Sequence, residues 1–345
     1  MPVPNTPKIC FDRILPADLH RPQRMMNIGG RLRAVFEFRK RWMNGSTLKV
    51  RFLEGNSDQK AQVIEEANRW TAHANLNFDF TDDPGADIRI TFDSNDGAWS
   101  FVGTDASSIP AHLATLNLGF LDRGTPTHEF GHAIGLGHEH QNPSGGITWN
   151  EPEVIRDLSG PPNNWTIDQI RHNVLNKYSN DQVRGTEFDS NSIMLYEFPA
   201  RWTLNTSGTH GNDDLSDQDI AFIKSADAYP GRTDVGEPSI EAVALDVIDT
   251  SGVAANIGQP GEEDVFSFTV ENAGRHTIET GGETDVFMSL FGPDSQTQKI
   301  AENDDGGIGR NSKIVVDLSP GGYFVQIRHF NQTSGTGSYS IRVVR

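Results

Sequence analysis

Residues 128 to 140 read HEFGHAIGLGHEH and place four histidines and two glutamates in thirteen positions. His128 and His132 are four residues apart, so on a helix their side chains share one face and can bind one metal ion. Glu129 stands beside the first histidine. This H-E-x-x-H pattern predicts a zinc site with the glutamate as general base. Because the pattern alone also occurs by chance on amphipathic helices, a third ligand decides between the two interpretations.

His138 is the candidate third ligand. It follows His128 by ten positions, and a continuous helix would separate the two by about 15 Å. Zinc needs its nitrogen ligands at about 2.0–2.1 Å. The helix must therefore end between them, and Gly135 is where this can happen, because glycine accepts the left-handed conformation that terminates helices. The glycine and the third histidine at fixed offsets favour zinc over a chance pattern.

Three neutral histidines leave zinc its double positive charge and one open coordination position, which is the arrangement of a catalytic site. Water in that position becomes far more acidic, and Glu129 can take its proton and return it to a leaving amine. Two residues of the run, Glu139 and His140, are not assigned to the metal site. His140 could face a substrate cleft, but we expect it at the surface, and we expect Glu139 to make a buried charge interaction.

The elements that must position these residues come earlier in the chain. TLKVRFLEG (47–55), NFDFTDD and ADIRITFD have the composition of strands, and the first alternates apolar and polar residues. DQKAQVIEEANRWTAHA is a helix with Asn56 among its capping residues. ATLNLGFL (114–121) is a further short strand directly before the histidines. We therefore predict a strand–helix–strand–strand–strand sheet that leads into one long helix.

Two more helices are expected after the histidines. WTIDQIRHNVLNKY (165–178) begins with Thr166 as its cap. LSDQDIAFIKSADAYP (215–230) has Ser216 as its cap and Asp219 at its third helical position. These two helices and the preceding sheet predict an α+β domain, a twisted sheet with long helices around an active-site cleft.

A change of composition divides the chain. GRTDVGEPS, at 231–239, has the Gly, Pro and charge content of a linker. From 240 to 345, short alternating strands such as DVFSFTV and YFVQIRHF predict an all-β sandwich. We assign residues 46–230 to the catalytic domain, and residues 1–45 to an N-terminal segment that is either a pro-segment or a first strand.

Composition argues against several classes of partner. The formal net charge of −18 disfavours nucleic acid and anionic lipid. No stretch approaches the ~18 consecutive apolar residues of a membrane helix, and the start MPVPNTPKIC lacks the apolar run of a secretory signal. With one cysteine, Cys10, no internal disulfide can form. Cys10 could mask a catalytic zinc in a precursor, although its neighbours KICFDRIL are typical of an ordinary strand.

The histidine run resembles that of the metzincin zinc endopeptidases. SIMLYEF (192–198) is similar to their Met-turn, with Met194 as the apolar floor beneath the zinc. Tyr196 is similar to a tyrosine of astacins and serralysins, which implies a switchable fifth zinc ligand that stabilises the oxyanion of the transition state. HEHQNP and the segment 215–230 also resemble astacins. The resemblance implies an astacin-like bacterial metzincin, in which Glu139 would pair with a processed N-terminus.

Two departures from the astacin pattern stand out. Leu195 replaces the histidine that astacins usually have between the methionine and the tyrosine, and the astacin disulfides cannot form. In metzincins the edge strand before the zinc helix pairs with an extended substrate. The segment 114–121 occupies that place in the sequence, and pairing of this kind uses main-chain hydrogen bonds.

Residues 240–345 resemble the bacterial pre-peptidase C-terminal (PPC) domain, which commonly accompanies secreted proteases. This implies an extracellular protein whose C-terminal domain binds substrate or matrix or is removed on maturation. Four aspartates could bind calcium, although an Asp-Gly hairpin explains part of the same pattern: Asp264, Asp285, Asp304 and Asp305. Three aromatic residues could form a binding face, although alternate strand aromatics are more often core: Tyr323, Phe324 and Phe330.

The predicted function is a secreted zinc endopeptidase that acts on extended protein or peptide substrates. Two other functions are compatible with the same fold. One is a metzincin-fold binding or adhesion protein without catalysis, which the presence of Glu129, Met194 and Tyr196 argues against. The other is a zinc hydrolase of a non-peptide amide, which a peptide-binding edge strand argues against.

Overall fold

A computed structural model describes most of the chain, and the residues it describes fall into ten stretches: 11–12, 36–37, 40–161, 163–178, 183–184, 187–225, 227–231, 242–247, 252–332 and 334–345. Most of the segment 1–45 and of the linker 231–239 lies outside these stretches. Cys10 also lies outside them, so its predicted roles stay predictions.

A six-stranded sheet forms the first domain, in the order β1-β6-β7-β5-β3-β4. Its strands are β1 (Phe11–Asp12), β3 (Thr47–Phe52), β4 (Asn77–Phe80), β5 (Ile88–Thr91), β6 (Ala98–Ser100) and β7 (Leu116–Leu118). All neighbouring pairs are parallel except β6 with β7, which are antiparallel. The mixed sheet agrees with the α+β class predicted from the sequence.

The prediction that the segment 114–121 forms the edge strand is wrong. Its strand, β7, lies inside the sheet and pairs on one side with β5 and on the other with β6. The main-chain hydrogen-bonding groups on both sides of β7 are therefore paired within the domain. The chain returns from β6 and inserts β7 between β5 and β6, so β6 is left nearer the edge. Along that edge runs β1, with Phe11 opposite Trp99 and Asp12 opposite Ser100.

Two helices pack on this sheet. Helix α1 (Ser57–Thr71) begins at Asn56, whose side chain accepts hydrogen bonds from the N–H groups of Asp58 and Gln59. Helix α2 (Thr125–Ala133) carries the first histidines and has nine residues, so the predicted long helix is shorter than expected. The indole of Trp70 donates to the carbonyl oxygen of Thr127 over 2.7 Å and joins the two helices.

The helices that follow are shorter than their predicted segments. The segment 165–178 contains α4 (Ile167–Ile170) and one π-helical turn (Arg171–Leu175). The segment 215–230 contains α5 (Asp217–Ile223), and the predicted capping by Ser216 and Asp219 is confirmed. Capping chemistry sets where these helices begin, but tertiary packing sets where they end. After α5 the chain turns so that the N–H of Tyr229 donates to the carbonyl oxygen of Ile223 over 2.9 Å.

A second small core lies on the other side of the histidines. It includes Phe198, Trp202 and the unpredicted helix α3 (Glu151–Leu158). Short strands β2 (Phe36–Glu37) and β8 (Val183–Arg184) pair with each other in a separate two-stranded sheet. The histidines therefore lie between a sheet-and-helix half and a mainly irregular half of the first domain.

The C-terminal part is a β-sandwich, as predicted. One sheet has the order β10-β17-β12-β15 and the other β14-β13-β16-β11-β9. The strands are β9 (Val243–Ala244), β10 (Val253–Ile257), β11 (Glu263–Val270), β12 (Gly274–Gly282), β13 (Val286–Phe291), β14 (Lys299–Asn303), β15 (Lys313–Leu318), β16 (Gly321–His329) and β17 (Gly337–Val344). Their alternate residues form one buried core. Within the described stretches, no helix has both the length and the apolar character needed to cross a membrane.

Candidate active site

Helix α2 is anchored at its N-terminus by a buried acid. The carboxylate of Glu66, on α1, accepts a hydrogen bond of 2.9 Å from the N–H of Gly124, which has a φ of 87° and precedes the helix. The hydroxyl of Thr127 donates to the carbonyl oxygen of Glu66 over 3.2 Å. These bonds fix the face on which His128 and His132 lie, and their Nε2 atoms are 3.1 Å apart.

The helix ends at the predicted glycine. Gly135 has a φ of 106°, a conformation that L side chains rarely adopt. Its N–H donates to the carbonyl oxygen of His132 over 2.8 Å, and the N–H of Leu136 donates to that of Gly131 over 2.9 Å. This pair of bonds is a Schellman motif, which satisfies the last carbonyls of the helix while the chain reverses. The reversal brings His138 back to the histidines of α2.

The three histidines converge on one point. Nε2 of His138 lies 3.0 Å from Nε2 of His132, and each residue offers a nitrogen within 4.8 Å of the others' ligand atoms. The opposite ring nitrogens of His128 and His132 lie 2.7 Å from the carbonyl oxygens of Ile193 and Leu136. A carbonyl accepts only, so these Nδ1 atoms carry the protons.

The donor set therefore fits a zinc ion. Two Nε2 atoms that lack protons would repel each other at this distance unless a cation lay between them, and a buried cluster of three imidazoles is a zinc ligand set. All three side chains are buried. Glu129 is also fully buried, on the same helix and between two ligands in sequence.

Gln141 positions the third histidine and was not singled out in the sequence. Its side-chain oxygen lies 3.4 Å from Nδ1 of His138, while its amide nitrogen donates to the carbonyl oxygens of His172 and Asn176. Because the amide is held from the other side, its oxygen faces the histidine. The available sequence signal was a polar side chain three residues after a ligand.

Tyr196 lies beside two of the clustered histidines, and Met194 lies against the helix that carries them. The Tyr196 hydroxyl is 3.1 Å from Nε2 of His128 and also contacts Nε2 of His138. Met194 is buried and its sulfur packs against Gly131 so closely that any side chain at 131 would collide with it. Gly131, in the middle of HEFGH, therefore leaves space for Met194 against the helix, although glycine weakens a helix.

Asp219 holds the turn that carries Met194. Its carboxylate accepts hydrogen bonds from the N–H of Ile193 over 2.8 Å and from the hydroxyl of Ser192 over 2.7 Å. The same carboxylate accepts from the N–H of Ser216 at the start of α5. The sequence predicted Asp219 as a capping residue only. Its hydrogen bonds to the Met-turn join residues that are 26 and 27 positions apart. The local sequence therefore gave no indication of them.

Glu139 is buried, but the charge interaction expected for it is not among its described contacts. Its described partners are the side-chain amide of Asn142 at 3.1 Å and the N–H of Asp189 at 2.9 Å. Burial raises the pKa of Glu139 to about 8, despite these hydrogen bonds. A cavity of about 20 Å³ adjoins it and is also lined by Asp189 and Asp219. Glu139 thus adjoins a small cavity, which Trp70, Met194 and Phe222 also line.

The expectation that His140 lies at the surface is wrong. It is 1% exposed, and its Nε2 lies 3.0 Å from the carbonyl oxygen of Asn173. The ring packs edge-on against Phe198 and Trp149. Leu195, which replaces the usual astacin histidine, is buried in the same core. Neither burial could be read from the local pattern, because the covering residues come from distant segments.

The calcium prediction is not supported. Within the described stretches, no three acidic side chains come close enough to share an ion. Asp264 accepts a hydrogen bond of 2.6 Å from the hydroxyl of Tyr339, and Asp285 faces Arg310 at 3.7 Å. Asp304 and Asp305 lie in the turn between β14 and β15, where the Asp304 carboxylate accepts from the N–H of Asp305. This turn connects the two sheets, because β14 pairs with β13 and β15 pairs with β12. The alternative of an Asp-Gly hairpin is therefore wrong as well.

The three C-terminal aromatic residues do not form one face. Tyr323 is a core residue, 1% exposed, and stacks on Phe268. Phe324 packs on a small cluster around Met43. Phe330 lines a separate cavity with Asp285. The predicted alternative, that strand aromatics belong to the core, therefore holds for Tyr323.

Comparison with known families finds one match for the first domain and one for the C-terminal β-sandwich. The family model for Astacin, a family of peptidases, matches residues 35–210, just over half of the chain. The model for the bacterial pre-peptidase C-terminal domain matches residues 262–329. No curated protein matches the chain.

Among solved structures, one of myroilysin is 33% identical, with a TM-score of 0.55, and the match covers 58% of this chain and 100% of that one. High choriolytic enzyme 1, a hatching enzyme zinc-protease from the medaka fish Oryzias latipes, is 16% identical over 56% of this chain and 97% of that one, with a TM-score of 0.38. The pre-peptidase C-terminal domain of a Bacillus anthracis collagenase is 18% identical over 30% of this chain and 94% of that one, with a TM-score of 0.26. The chain belongs to the astacin family of zinc metallopeptidases, and a bacterial pre-peptidase C-terminal domain follows its peptidase domain.

Proposed function

We propose that this protein is an endopeptidase that cleaves extended protein substrates, with His128, His132 and His138 as zinc ligands and Glu129 as the general base. The observation that carries the proposal is the convergence of the three imidazole Nε2 atoms, two of which lie 3.0 and 3.1 Å from that of His132. A metal cation accounts for Nε2 atoms that converge in this way while Nδ1 donates to a carbonyl, and Glu129 lies on the same helix as two of the histidines.

Bound zinc would acidify a water molecule and polarise the substrate carbonyl. Glu129 would accept the proton of that water and later donate it to the nitrogen of the leaving amine. Because Glu129 is fully buried, bulk water does not compete for this proton. The ring protons of His128 and His132, held by backbone carbonyls, keep the Nε2 lone pairs directed at the metal position.

Tyr196 is proposed as the donor to the oxyanion. Its hydroxyl lies beside two ligand nitrogens, so it is within reach of the metal position. A phenol O–H at that place can donate to the oxygen that becomes negative when the carbonyl is attacked. It can also serve as an additional metal ligand before the substrate arrives. Met194 is buried and packs against Gly131 of the helix that carries His128 and His132.

Strand β6 is proposed as the edge that receives the substrate. It packs beside α2 and its inner side is already paired with β7. Its outer side is occupied by β1, through the pairs Phe11–Trp99 and Asp12–Ser100. We therefore propose that the segment 1–45 includes a pro-segment that covers this edge, and that its removal opens β6 to an extended peptide.

Glu139 is proposed to receive the new N-terminus after this removal. The carboxyl adjoins a small cavity in the peptidase domain, and its described partners are all uncharged. An ammonium group entering the cavity would compensate the buried acids there. Export from the cell and cleavage of the linker before the PPC domain are proposed on the family resemblance alone.

The test of this function is Glu129→Gln, which keeps the shape of the side chain and removes the base. We expect casein cleavage to fall by several orders of magnitude while one zinc per chain is retained. The matched control is Glu151→Gln, at an exposed carboxylate, which should leave cleavage unchanged. Cleavage undiminished in the Glu129 variant would reject the base.

Two other results would favour the alternative functions. A native protein that holds zinc but cleaves no member of a peptide library would indicate a non-catalytic binding protein. Hydrolysis of small amides without any peptide cleavage would indicate a non-peptide amidase. A purified native protein that binds no stoichiometric zinc would contradict the proposed function.

A further inference from the structure

A buried ion pair joins the two domains. Arg41, just before the first domain's β3, contacts the carboxylate of Glu263, the first residue of β11 in the PPC domain. The two side chains are 5% and 6% exposed. The second carboxylate oxygen of Glu263 accepts a hydrogen bond of 2.8 Å from the side-chain amide of Gln326. Such a pair is costly to break from one side, because the charge that remains stays buried without compensation.

Further contacts surround the pair. Met43 is 2% exposed and packs in one cluster with Val265 and Phe291 of the PPC domain. Asp87, at the start of β5, accepts a hydrogen bond from the side chain of Thr297 in the PPC domain, and burial raises the pKa of Asp87 above its ordinary value. The contact therefore combines an apolar cluster with polar links.

The same segment of the first domain also supports the end of the zinc helix. Arg41 donates to the carbonyl oxygen of Ala228 over 2.8 Å. The indole of its neighbour Trp42 donates to the carbonyl oxygen of Ala133 over 2.8 Å.

The residue after Ala228 completes the support. The Tyr229 hydroxyl donates to the carbonyl oxygen of Ile134 over 2.7 Å and accepts from the N–H of Trp42 over 3.2 Å. Ala133 and Ile134 are the residues directly before Gly135, where the chain reverses towards His138.

We propose that the PPC domain is a docked brace: it binds the peptidase domain through the Arg41–Glu263 pair and the Met43 cluster, stays bound when the linker is cut, and stabilises the reversal at Gly135. Glu263 contacts Arg41, and the N–H of the next residue, Trp42, donates to the Tyr229 hydroxyl. That hydroxyl donates to the carbonyl oxygen of Ile134, directly before the reversal. A PPC domain attached only by its linker would need neither a buried charge pair nor an apolar cluster shared with the peptidase domain.

The first experiment cuts the linker of the folded full chain at a protease site inserted within residues 232–241. We expect the two fragments to co-elute in size-exclusion chromatography at micromolar concentration. Glu263→Met should raise their dissociation constant by about a hundredfold, because it leaves Arg41 charged and buried. The matched control Asp317→Asn removes an exposed carboxylate of the same domain and should leave co-elution unchanged. Fragments of native sequence that separate would overturn the proposal.

A double variant guards against simple misfolding of Glu263→Met. Arg41→Met alone should also weaken association, because Glu263 then remains buried and charged. The two substitutions together should bind more tightly than either alone, since an apolar pair replaces the ion pair without leaving an unpaired charge. A double variant that is no tighter than the single variants would show that the two residues are not coupled, and would contradict the docking.

The brace is tested by hydrogen exchange of the peptide covering residues 131–140. In the full chain with Glu263→Met, its protected amides should exchange about tenfold faster than in the native chain, which corresponds to ~1.4 kcal/mol. Unchanged exchange would reject the support of the reversal. None of these measurements uses peptidase activity. A negative result would therefore not contradict the proposed peptidase reaction. An inactive protein could likewise still be tested for binding of the PPC domain.

Discussion

At the scale of single residues, the active site depends on where protons are held. The Nδ1–H groups of His128 and His132 donate hydrogen bonds to backbone carbonyls, so their Nε2 atoms are available to a metal ion. In the proposed mechanism Glu129 moves protons, and its burial isolates it from bulk water. Tyr196 contributes an O–H beside the metal position. The three histidines, the proposed base and the proposed oxyanion donor are different side chains, so each role can be tested by itself.

Tyr196→Phe tests the oxyanion donor. We expect kcat for peptide cleavage to fall by about a hundredfold, which is the typical cost of removing one such donor. KM and zinc content should change little, because the variant keeps the ring and all three histidines. Steady-state kinetics with zinc analysis measure both effects. A kcat within twofold of the native value would exclude Tyr196 from the reaction.

At the scale of elements, a short helix and a tight reversal build the metal site. Helix α2 supplies two ligands on one face, and its Schellman motif at Gly135 turns the chain so that the third can reach them. The Met-turn is held against the helix by Asp219 of α5. Each element is short, and its position comes from capping bonds rather than from its own length.

Gly135→Ala tests the reversal. A side chain at a φ of 106° should cost roughly 1–3 kcal/mol of folding free energy and displace His138, so zinc affinity should fall as well. Chemical denaturation and competition with a zinc chelator measure the two effects. Gly146→Ala is the control, since no atom lies near its added carbon and its φ is not positive. Equal stability and zinc affinity of the two variants would contradict this account of the turn.

A charge cluster on one sheet of the PPC domain predicts a pH effect. The amine of Lys313 lies 2.9 Å from the Glu279 carboxylate, and this hydrogen bond, with Arg342 as a second cation, holds the pKa of Glu279 below its ordinary value. The stabilisation is therefore complete above about pH 4.5 and is lost as pH falls through the folded-state pKa.

Glu279→Gln should remove that stabilisation, about 1 kcal/mol at pH 7. The stability difference between the variant and the native protein should then shrink as pH falls through the folded-state pKa of Glu279, which lies below its ordinary value. Urea denaturation at a series of pH values measures this, with the exposed Glu271→Gln as the control. A difference between variant and native protein that does not change with pH would assign the effect to packing instead.

At the scale of the whole molecule, both ends of the chain are placed against the peptidase domain. Residues 11–12 lie on the outer side of β6, and the PPC domain contacts the segment that supports the zinc helix. The first contact covers the edge proposed for substrate, and the second lies behind the metal site. Removing the two ends should therefore have opposite consequences.

Release of the N-terminal segment should increase activity. A protease site inserted after residue 34 and cut in the folded chain should raise casein cleavage by about tenfold, the gain expected if the edge of β6 is open about one tenth of the time before the cut. The control is a chain that lacks residues 1–10 but keeps β1, which should gain much less. An unchanged rate after the cut would show that β1 does not limit access to the site.

The sequence by itself determined the features that depend on local spacing. Two histidines four residues apart, a glycine and a third histidine define a metal site because helix geometry and glycine conformation act over a few residues. The capping of α1 and α5 and the alternation of the sandwich strands are equally local, and these predictions agree with the structure.

Tertiary structure alone decided what depends on distant segments. Strand order placed β7 inside the sheet and β6 next to the edge strand β1, because pairing partners are chosen by the whole sheet and not by the strand's own residues. Burial of His140 depends on Phe198 and Trp149, and Asp219 reaches the Met-turn across the fold. Contacts of this kind carry no local periodicity, so the residues that make them look ordinary until the chain has folded.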